Sequence, residues 1–422
     1  MAHHLFSHMA MQRIIHIVLL FLLTLSCHAE EEYQVCPDSS NFVIASLVTI
    51  TPADVIYSSM GHCAIRMRCP SESLDYCFSL EMAALPGDYA RFFSGQMKAA
   101  VVAIPTQEFM DAYREEGRGV TQRELNLSHH EKQQLWQMLD EEVVKPPHLT
   151  FNFLNTNCVM MSMLMIEQCL IDEQMDFRNL PPALQFNDGD IIRHHSQHTP
   201  WAQFLYITLC GAACDGHKAM EYRLSPKMIV EVLDNAIIQG DSTTARPVFK
   251  GKPEQLLRAT ILPKPFPITP TLLFGAILLL TIAITIAEHY GHCLRTARLL
   301  DILLYAFQIS VGTVLLYTSF VANLFGSHWN WYLIPTCPIP FLLWLTCRKR
   351  SWHRHLYLAY TIILVLFILA TPLSSQLDLP HQLITATFAT RTLANYIKSK
   401  KMDKITEKSR ELSKKPKKPL WH

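Results

Sequence analysis

The chain has 422 residues, half of which are hydrophobic, and its formal net charge at pH 7 is +1. These averages conceal an ordinary globular composition over residues 30–260, long apolar runs over residues 270–397 and a lysine-rich tail over residues 398–422. The length alone fits two or three domains. The globular part carries no basic stripe, so no nucleic-acid partner is expected.

The N-terminus has the pattern of a secretory signal. Arg13 precedes the apolar run Ile14–Leu25, and small residues follow it up to Ala29. This is the order of a charged region, an apolar region and a cleavage site. We expect cleavage after Ala29, and the alternatives are a lipid-modified Cys27 or an uncleaved signal anchor. In each case the chain that follows is exported.

Apolar segments near the C-terminus predict a transmembrane bundle. Four of them lack charge and approach the roughly 20 residues needed to cross a bilayer: Thr271–Ala287, Ile302–Phe325, Trp331–Cys347 and Leu356–Leu377. A fifth segment, Leu379–Tyr396, contains His381 and Arg391. Arg391 lies near its end, where a long side chain can reach the interface. We therefore predict four to five transmembrane helices.

The loops between these segments predict the orientation. The segments expected inside are basic, namely Arg295 with Arg298, Arg348–Arg350 and the tail. The expected outside loops, Ser327–Asn330 and Ser374–Pro380, contain neither Lys nor Arg, as the positive-inside rule requires. We divide the chain into a signal peptide (1–29), an exported domain (30–262), a transmembrane domain (270–397) and a basic cytoplasmic tail (398–422).

The exported domain has the pattern of an α+β fold with a small antiparallel sheet. Alternating or β-branched runs predict strands at Phe42–Thr51, Cys63–Met67, Leu74–Leu80 and Val101–Ile104. Helices are expected at Asp88–Ser94, Gln107–Glu116, from the capping box Ser128–Glu131 onward, at Cys158–Leu170 and at Pro226–Ile238. The stretch Arg246–Pro270 is interpreted as a linker to the membrane.

Cysteine and histidine are frequent in the exported domain. Disulfides persist outside the cytoplasm, and the pairs Cys69–Cys77 and Cys210–Cys214 are compatible with the spacing, which cannot fix connectivity. The histidines near His195 have no companion Cys or acid at metal-ligand spacing, so we interpret them as an exposed loop. We expect neither a metal nor a cofactor.

Two short segments combine residues suited to nucleophilic catalysis. Gly61-His62 begins a predicted strand, and Asn157-Cys158 begins an apolar helix. A cysteine at a helix N-terminus faces unpaired N–H groups and the positive end of the dipole, which favour the thiolate. A nearby histidine could then transfer protons. Alone, each residue is weak evidence, because most buried cysteines are inert packing.

The order of several motifs resembles the Lnb-type periplasmic domain family. These are Ile50–Arg68 with its GH-x-AIR core, Arg118–Leu127, Phe151–Cys158, Pro200–Ala236 and the loop His328-Trp329-Asn330. The His-first, Cys-later order is also similar to the permuted papain-like proteins of the lecithin:retinol acyltransferase type. Both resemblances imply a permuted papain-like site, with His62 as general base and Cys158 as nucleophile.

Further site candidates surround this pair. Asp75 and Ser79, on the next predicted strand, are the candidates for a third residue that orients His62. The candidates for substrate binding are Tyr57, Arg66, Arg118, Asn157, His328 and Asn330.

The preferred hypothesis is a lipoprotein N-acyltransferase of a bacterial inner membrane, with a periplasmic catalytic domain and a cytoplasmic C-terminus. A phospholipid would donate an acyl chain to Cys158, and the N-terminal amine of a lipoprotein would accept it. The spans would hold the site near both membrane-bound substrates. The alternatives are a cysteine peptidase or amidase acting on cell-wall peptides, and a non-enzymatic envelope protein with Cys158 in a disulfide.

Overall fold

The computed structural model describes residues 43–53, 58–83, 89–153, 156–178, 187–215, 225–240, 244–261, 266–322, 329–338, 350–374 and 376–414. Its strands are β1 (Ile44–Ile50), β2 (His62–Cys69), β3 (Leu74–Met82), β4 (Lys98–Pro105), β5 (Val120–Leu125), β6 (Leu149–Thr150), β7 (Gln174–Asp176), β8 (Ile237–Gln239), β9 (Arg246–Pro247) and β10 (Phe249–Leu257). The helices of the exported domain are α1 (Tyr89–Ser94), α2 (Thr106–Glu115), α3 (His129–Val143), α4 (Cys158–Gln168), α5 (Asp188–His195), α6 (Pro200–Cys210) and α7 (Pro226–Asn235).

Seven strands form one antiparallel sheet in the order β10-β5-β1-β2-β3-β4-β6, and β7, β8 and β9 form a second. The α+β class is confirmed, but the main sheet is larger than predicted. Its edge strand β10 lies in the stretch interpreted as a linker. That strand is mostly exposed and includes Gly251 and Pro253, so it lacks the apolar alternation that marks a strand.

The centre of the sheet is buried on both faces. Leu47 and Val48 are neighbours in β1, point to opposite faces and are both completely buried. On the face of Leu47, apolar side chains of α3 and α4 pack against the sheet, whereas α2 covers the face of Val48. Since β1 and β2 are central, the start of β2 is firmly held.

Two helix boundaries show how far local signals reach. The capping box that begins α3 is confirmed, because Ser128 N–H donates to Glu131 Oε2 at 2.6 Å and Glu131 N–H donates to Ser128 Oγ at 3.3 Å. The helix predicted to end at Ile238 ends at Asn235 instead. Ile237 and Ile238 pair with β7 and β9 instead. Helical periodicity within one segment does not predict such partners.

The membrane domain contains α8 (Pro270–His289), α9 (Leu294–Phe320), the short α10 (Leu333–Thr336), α11 (Arg350–Leu369) and α12 (Leu379–Lys414). Among the described residues, three helices are long and apolar enough to cross a membrane, at 270–289, 294–320 and 352–369. They coincide with the first, second and fourth predicted spans. Most of the third lies outside the described residues. The fifth belongs to α12, which packs against α8 and α11.

Arg391 corrects the expectation of a side chain at the interface. It is 3% exposed and donates to Asp301 Oδ1 at 2.7 Å and to Glu288 Oε2 at 2.9 Å. These acids lie on α9 and α8, so the guanidinium ties three helices together. A charge in a membrane bundle requires such partners, and the acids lay outside the spans drawn from sequence.

A buried polar network, called the junction here, joins the two domains. It consists of Thr208 of α6 together with Asn330, Gln376 and His381. Asn330 Nδ2 donates to the Thr208 carbonyl oxygen at 2.7 Å, and Gln376 Nε2 donates to Asn330 Oδ1 at 2.6 Å. His381 Nε2 lies 2.8 Å from Thr208 Oγ1. The junction therefore fixes α6 of the exported domain on the membrane helices.

The two disulfides considered from the spacing are not formed. Cys69 and Cys77 each carry a free thiol, as does Cys214. Cys69 Sγ lies 3.3 Å from Ser71 Oγ instead. The thiols of Cys69 and Cys214 are buried packing groups in this fold.

Candidate functional site

A glycine with an unusual backbone angle delivers His62 to the beginning of β2. Gly61 has φ +94°, and a Cβ atom there would lie 2.5 Å from the Ile50 carbonyl oxygen. Both observations exclude a larger residue. Ile50 is paired with His62 across β1 and β2, so the tight approach at Gly61 sets where the imidazole leaves the sheet.

Cys158 is the first residue of α4, as predicted. Its neighbour Asn157 is the N-cap: Oδ1 accepts from Met160 N–H at 2.8 Å, and Nδ2 donates to the Phe153 carbonyl oxygen at 2.9 Å. Asn157 is therefore engaged in building the turn rather than exposed for a substrate. The cap fixes the Cys158 thiol at the positive end of the helix dipole.

The structure brings Cys158 and His62 together in hydrogen-bonding contact. Burial alone lowers the pKa of His62, but the charge and hydrogen bond of Cys158, together with Glu81, raise it to about 10. A hydrogen bond from the Cys63 thiol is the largest cause that holds the pKa of Cys158 well below its usual range, against burial, and the His62 charge adds to it. The pair therefore favours thiolate and imidazolium.

Cys63 faces the same turn of α4. Its Sγ lies 3.6 Å from Ser162 Oγ, one helical turn after Cys158. Burial and the neighbouring Cys158 both raise the pKa of the Cys63 thiol, so it stays protonated. Cys63 is thus a donor to the Cys158 sulfur and not a second nucleophile.

The other nitrogen of His62 meets a short polar chain on β3. His62 Nε2 lies 2.7 Å from Ser79 Oγ, which donates to Glu81 Oε1 at 2.7 Å. The direct distance from His62 Nε2 to Glu81 Oε1 is 3.6 Å. Because Ser79 occupies Nε2, Nδ1 remains for Cys158. Of the two candidates on this strand, Ser79 is the one beside His62.

Asp75 and Arg66 bind each other away from the Cys–His pair. Arg66 Nε donates to Asp75 Oδ1 at 2.7 Å, and Arg66 Nη1 donates to Gln122 at 2.8 Å. Thr106 Oγ1 also donates to Asp75 at 2.7 Å. Asp75 therefore does not orient His62, because it lies four residues before Ser79 on β3 and its carboxylate is already satisfied.

Arg118 lies at the same rim of the sheet as His62. It donates to the Thr51 carbonyl oxygen at 2.8 Å, and its guanidinium lies 4.9 Å from the Tyr113 ring centre. That ring is 6.4 Å from the His62 ring. Arg118 thus borders the site through Tyr113 without touching the pair.

Three binding candidates remain, and the structure describes only Asn330 among them. Asn330 is 5% exposed and belongs to the junction, so it is not available for a head group. Tyr57 and His328 lie outside the described residues.

An aromatic wall connects the site with the membrane domain. Phe153, whose carbonyl oxygen holds Asn157, stacks on Tyr206 of α6 with ring centres 4.4 Å apart. Tyr206 OH lies 3.0 Å from Ser59 Oγ. The apolar cluster that includes Tyr206 continues into the membrane helices at Phe274 and Phe367. One flank of the site is thus continuous with the bundle core.

Glu81 was missed by the sequence reasoning, although the hairpin contains a signal for it. The register of β2 and β3 pairs Cys69 with Leu74 and Ile65 with Phe78. Continued to the start of β2, this register places Glu81 opposite His62. Side chains two residues apart share a face, which adds Ser79 to the same group. The length of the turn between β2 and β3 is enough to derive this register.

The histidines near the end of the domain form no metal centre. Within the described residues, no three His, Cys, Asp or Glu side chains are grouped to hold an ion. The interpretation as a loop is wrong for His194 and His195, which are the last residues of α5, whereas His198 lies in the exposed turn that follows. The short helix escaped notice because it is flanked by polar residues.

Two family models match the chain. The Lnb N-terminal periplasmic domain matches residues 32–194, and the Lnb transmembrane domain matches residues 263–403. No curated protein and no solved structure matches it. The two segments cover well over half of the chain, follow the order of the exported and membrane domains described above, and include both His62 and Cys158. The chain therefore belongs to the Lnb family.

Proposed function

We propose that the protein is a cysteine-dependent lipoprotein N-acyltransferase that uses a phospholipid as acyl donor. Membership of the Lnb family points to a membrane enzyme that modifies lipoproteins. The observation that carries the finer proposal is the contact of Cys158 with His62 at the end of an apolar cluster that runs into the membrane domain. A site built this way presents a nucleophile to lipid.

The first half-reaction transfers the acyl chain to the enzyme. The Cys158 thiolate attacks the ester carbonyl carbon, a C–S bond forms, and the C–O bond to the glycerol breaks. The departing alkoxide takes the proton of the His62 imidazolium, which becomes neutral. The products are a Cys158 thioester and a lysophospholipid. The coupled charges of the pair supply both the nucleophile and the acid.

Backbone groups of α4 can stabilise the oxyanion of this step. The Met160 N–H is taken by Asn157. The N–H groups of Cys158 and Val159 belong to the first turn of α4, where no preceding helical carbonyl oxygen can accept from them. Such fixed donors at a helix N-terminus bind developing negative charge. The cap at Asn157 thus serves both the thiolate and the transition state.

The second half-reaction releases the chain to the acceptor. The α-amine of the lipoprotein's N-terminal cysteine attacks the thioester, a C–N bond forms, and the C–S bond breaks. Neutral His62 takes the proton that the amine loses. The thiolate and the imidazolium are restored, so a new cycle can begin without another reactant.

The membrane domain favours this reaction over cell-wall hydrolysis. The junction fixes α6, and α6 carries Tyr206 of the wall beside the site. The segment after β10 also runs past the rim, where the Gly117 carbonyl oxygen accepts from Thr260 and Ile261 N–H at 2.9 and 3.0 Å. Holding a site against the bilayer raises the effective concentration of lipid-anchored substrates.

Two alternatives compete with the acyltransferase proposal. A peptidase or amidase would use the same Cys–His pair on a peptide carbonyl. A non-enzymatic protein with Cys158 in a disulfide disagrees with the free Cys158 thiol.

Mass spectrometry of lipoprotein N-termini tests the proposal. Cells carrying the wild-type protein should contain N-acylated lipoproteins, and Cys158→Ala or His62→Ala should abolish the modification at equal protein level. Cys169→Ala, which alters a buried thiol at the other end of the same helix, is the matched control and should retain it. Unchanged N-acylation in Cys158→Ala would reject the active site. Changed cell-wall peptides with unchanged lipoproteins would support the peptidase.

A further inference from the structure

We propose that Glu81 is a positioning residue that sets the tautomer of His62 through Ser79, so that Nδ1 is the nitrogen that exchanges protons with Cys158. The inference rests on the proposed active site, but it concerns the state of the Cys–His pair and holds for any reaction at that pair.

The direction of the Ser79 hydrogen bonds follows from its single hydroxyl proton. A serine hydroxyl has one proton to donate, and Ser79 donates it to Glu81 Oε1 at 2.7 Å. A carboxylate can only accept, so this direction is fixed while Glu81 is ionised. Burial raises the pKa of Glu81, but the hydrogen bond and charge of His62, together with Ser79, hold it below its usual value. Glu81 is therefore ionised at neutral pH.

The nitrogen of His62 that faces Ser79 is Nε2. Since the Ser79 proton is committed to Glu81, its oxygen can only accept from His62 Nε2, at 2.7 Å. Nε2 must then carry a hydrogen in both protonation states of the ring. When His62 is neutral, Nδ1 is bare and is the nitrogen left for Cys158, as a base requires. Ser79 is completely buried, so water does not compete for this bond.

The negative charge of Glu81 lies close to the His62 ring. Glu81 Oε1 lies 3.6 Å from His62 Nε2, and its side chain is 46% exposed. The carboxylate thus remains hydrated while it faces the imidazolium. An exposed carboxylate avoids the desolvation that a buried one suffers and still supports the charge of the ring.

Glu81→Gln separates this role from simple packing. The amide nearly matches the carboxylate in shape, but its NH₂ can donate to Ser79. Ser79 is then free to donate to Nε2, which moves the neutral ring's hydrogen to Nδ1, facing Cys158. We expect acyl transfer to fall roughly 10⁴-fold, the size known for a catalytic histidine in the wrong tautomer. Glu81→Ala, which leaves water to accept from Ser79, should be no worse than Glu81→Gln.

The decisive readout needs no substrate. The full-length protein in detergent is treated with iodoacetamide from pH 5 to 9, and alkylation of the Cys158 peptide is followed by mass spectrometry. In the wild type the rate should stay high below the range of an ordinary thiol. In Glu81→Gln the profile should move up by about one pH unit, a tenfold lower rate on its rising limb. Glu124→Gln, a carboxylate on the same sheet paired with Lys250, is the control and should match the wild type.

Two results would overturn the inference. One is a Glu81→Gln profile equal to the wild type, and the other is a Glu81→Ala profile shifted further than that of Glu81→Gln. Ser79→Ala with Glu81→Gln should add little to Ser79→Ala, because one hydrogen-bond chain is broken in both. A shifted profile in a protein that leaves lipoproteins unmodified would support the role of Glu81 and reject the acyltransferase instead.

Discussion

Buried polar side chains have different roles in the exported domain and in the membrane domain. At the rim of the sheet, His62 and Cys158 pair through groups that can exchange a proton. In the membrane domain, Arg391 and Asn330 are held by several fixed bonds each. A pair at the rim of the sheet keeps its polar groups reactive, whereas polar groups buried away from water have to be satisfied. Polar groups thus carry chemistry in one domain and assembly in the other.

The largest predicted effect is the loss of Arg391. Arg391→Ala leaves Asp301 and Glu288 without their buried cation, and breaking such a pair costs about 3–5 kcal/mol. We expect the free energy of unfolding in detergent to fall by this amount and the amount of protein in membranes to fall with it. Lys400→Ala, on the exposed surface of the same helix, is the control. Equal stability of the two variants would contradict a role in assembly.

The junction gives an intermediate effect that separates the domains. Asn330→Ala removes a donor to Thr208 and the acceptor for Gln376, and a buried unsatisfied group costs about 1–3 kcal/mol. We expect transfer between membrane-bound substrates to fall, while the rate of Cys158 alkylation stays at the wild-type value.

The control for the junction is Asn235→Ala, because Asn235 is exposed and bonds only within its helix end. If alkylation in Asn330→Ala fell in proportion to transfer, the junction would be shaping the pair itself, and the division between chemistry and assembly would fail.

The smallest predicted effect is the loss of the helix cap at Asn157. Asn157→Ala removes the cap of α4, which costs about 1 kcal/mol, whereas Asn157→Gly costs only a few tenths. We expect thermal unfolding to show this order. Cys158 alkylation at acidic pH should fall more in Asn157→Ala than in Ser128→Ala, which removes the cap of α3 far from the pair. An equal response would mean that the cap does not support the thiolate.

Local patterns predicted the parts of the site that depend on one segment. Gly61-His62 and Asn157-Cys158 each stand at the end of an element, and a strand start or a helix N-terminus is encoded within a few residues. Span lengths and loop charges likewise follow from the chain itself. The choice of this pair among many cysteines and histidines came from the ordered resemblance, because spacing does not measure distance in space.

The remaining contacts of the site and of the junction depend on pairing between segments that are distant in the sequence. The apolar run of α4 with Cys158 at its start follows from the sequence, and so does the division into exported and membrane domains. Only the register of β2 and β3 places Glu81 beside Ser79 and His62, and only the packing of α4 on the sheet brings Cys63 to the Cys158 sulfur. The same holds for Asn330 and Arg391, whose partners lie tens of residues away. Hydrogen bonds of this kind depend on how strands and helices meet, which periodicity within one segment does not record.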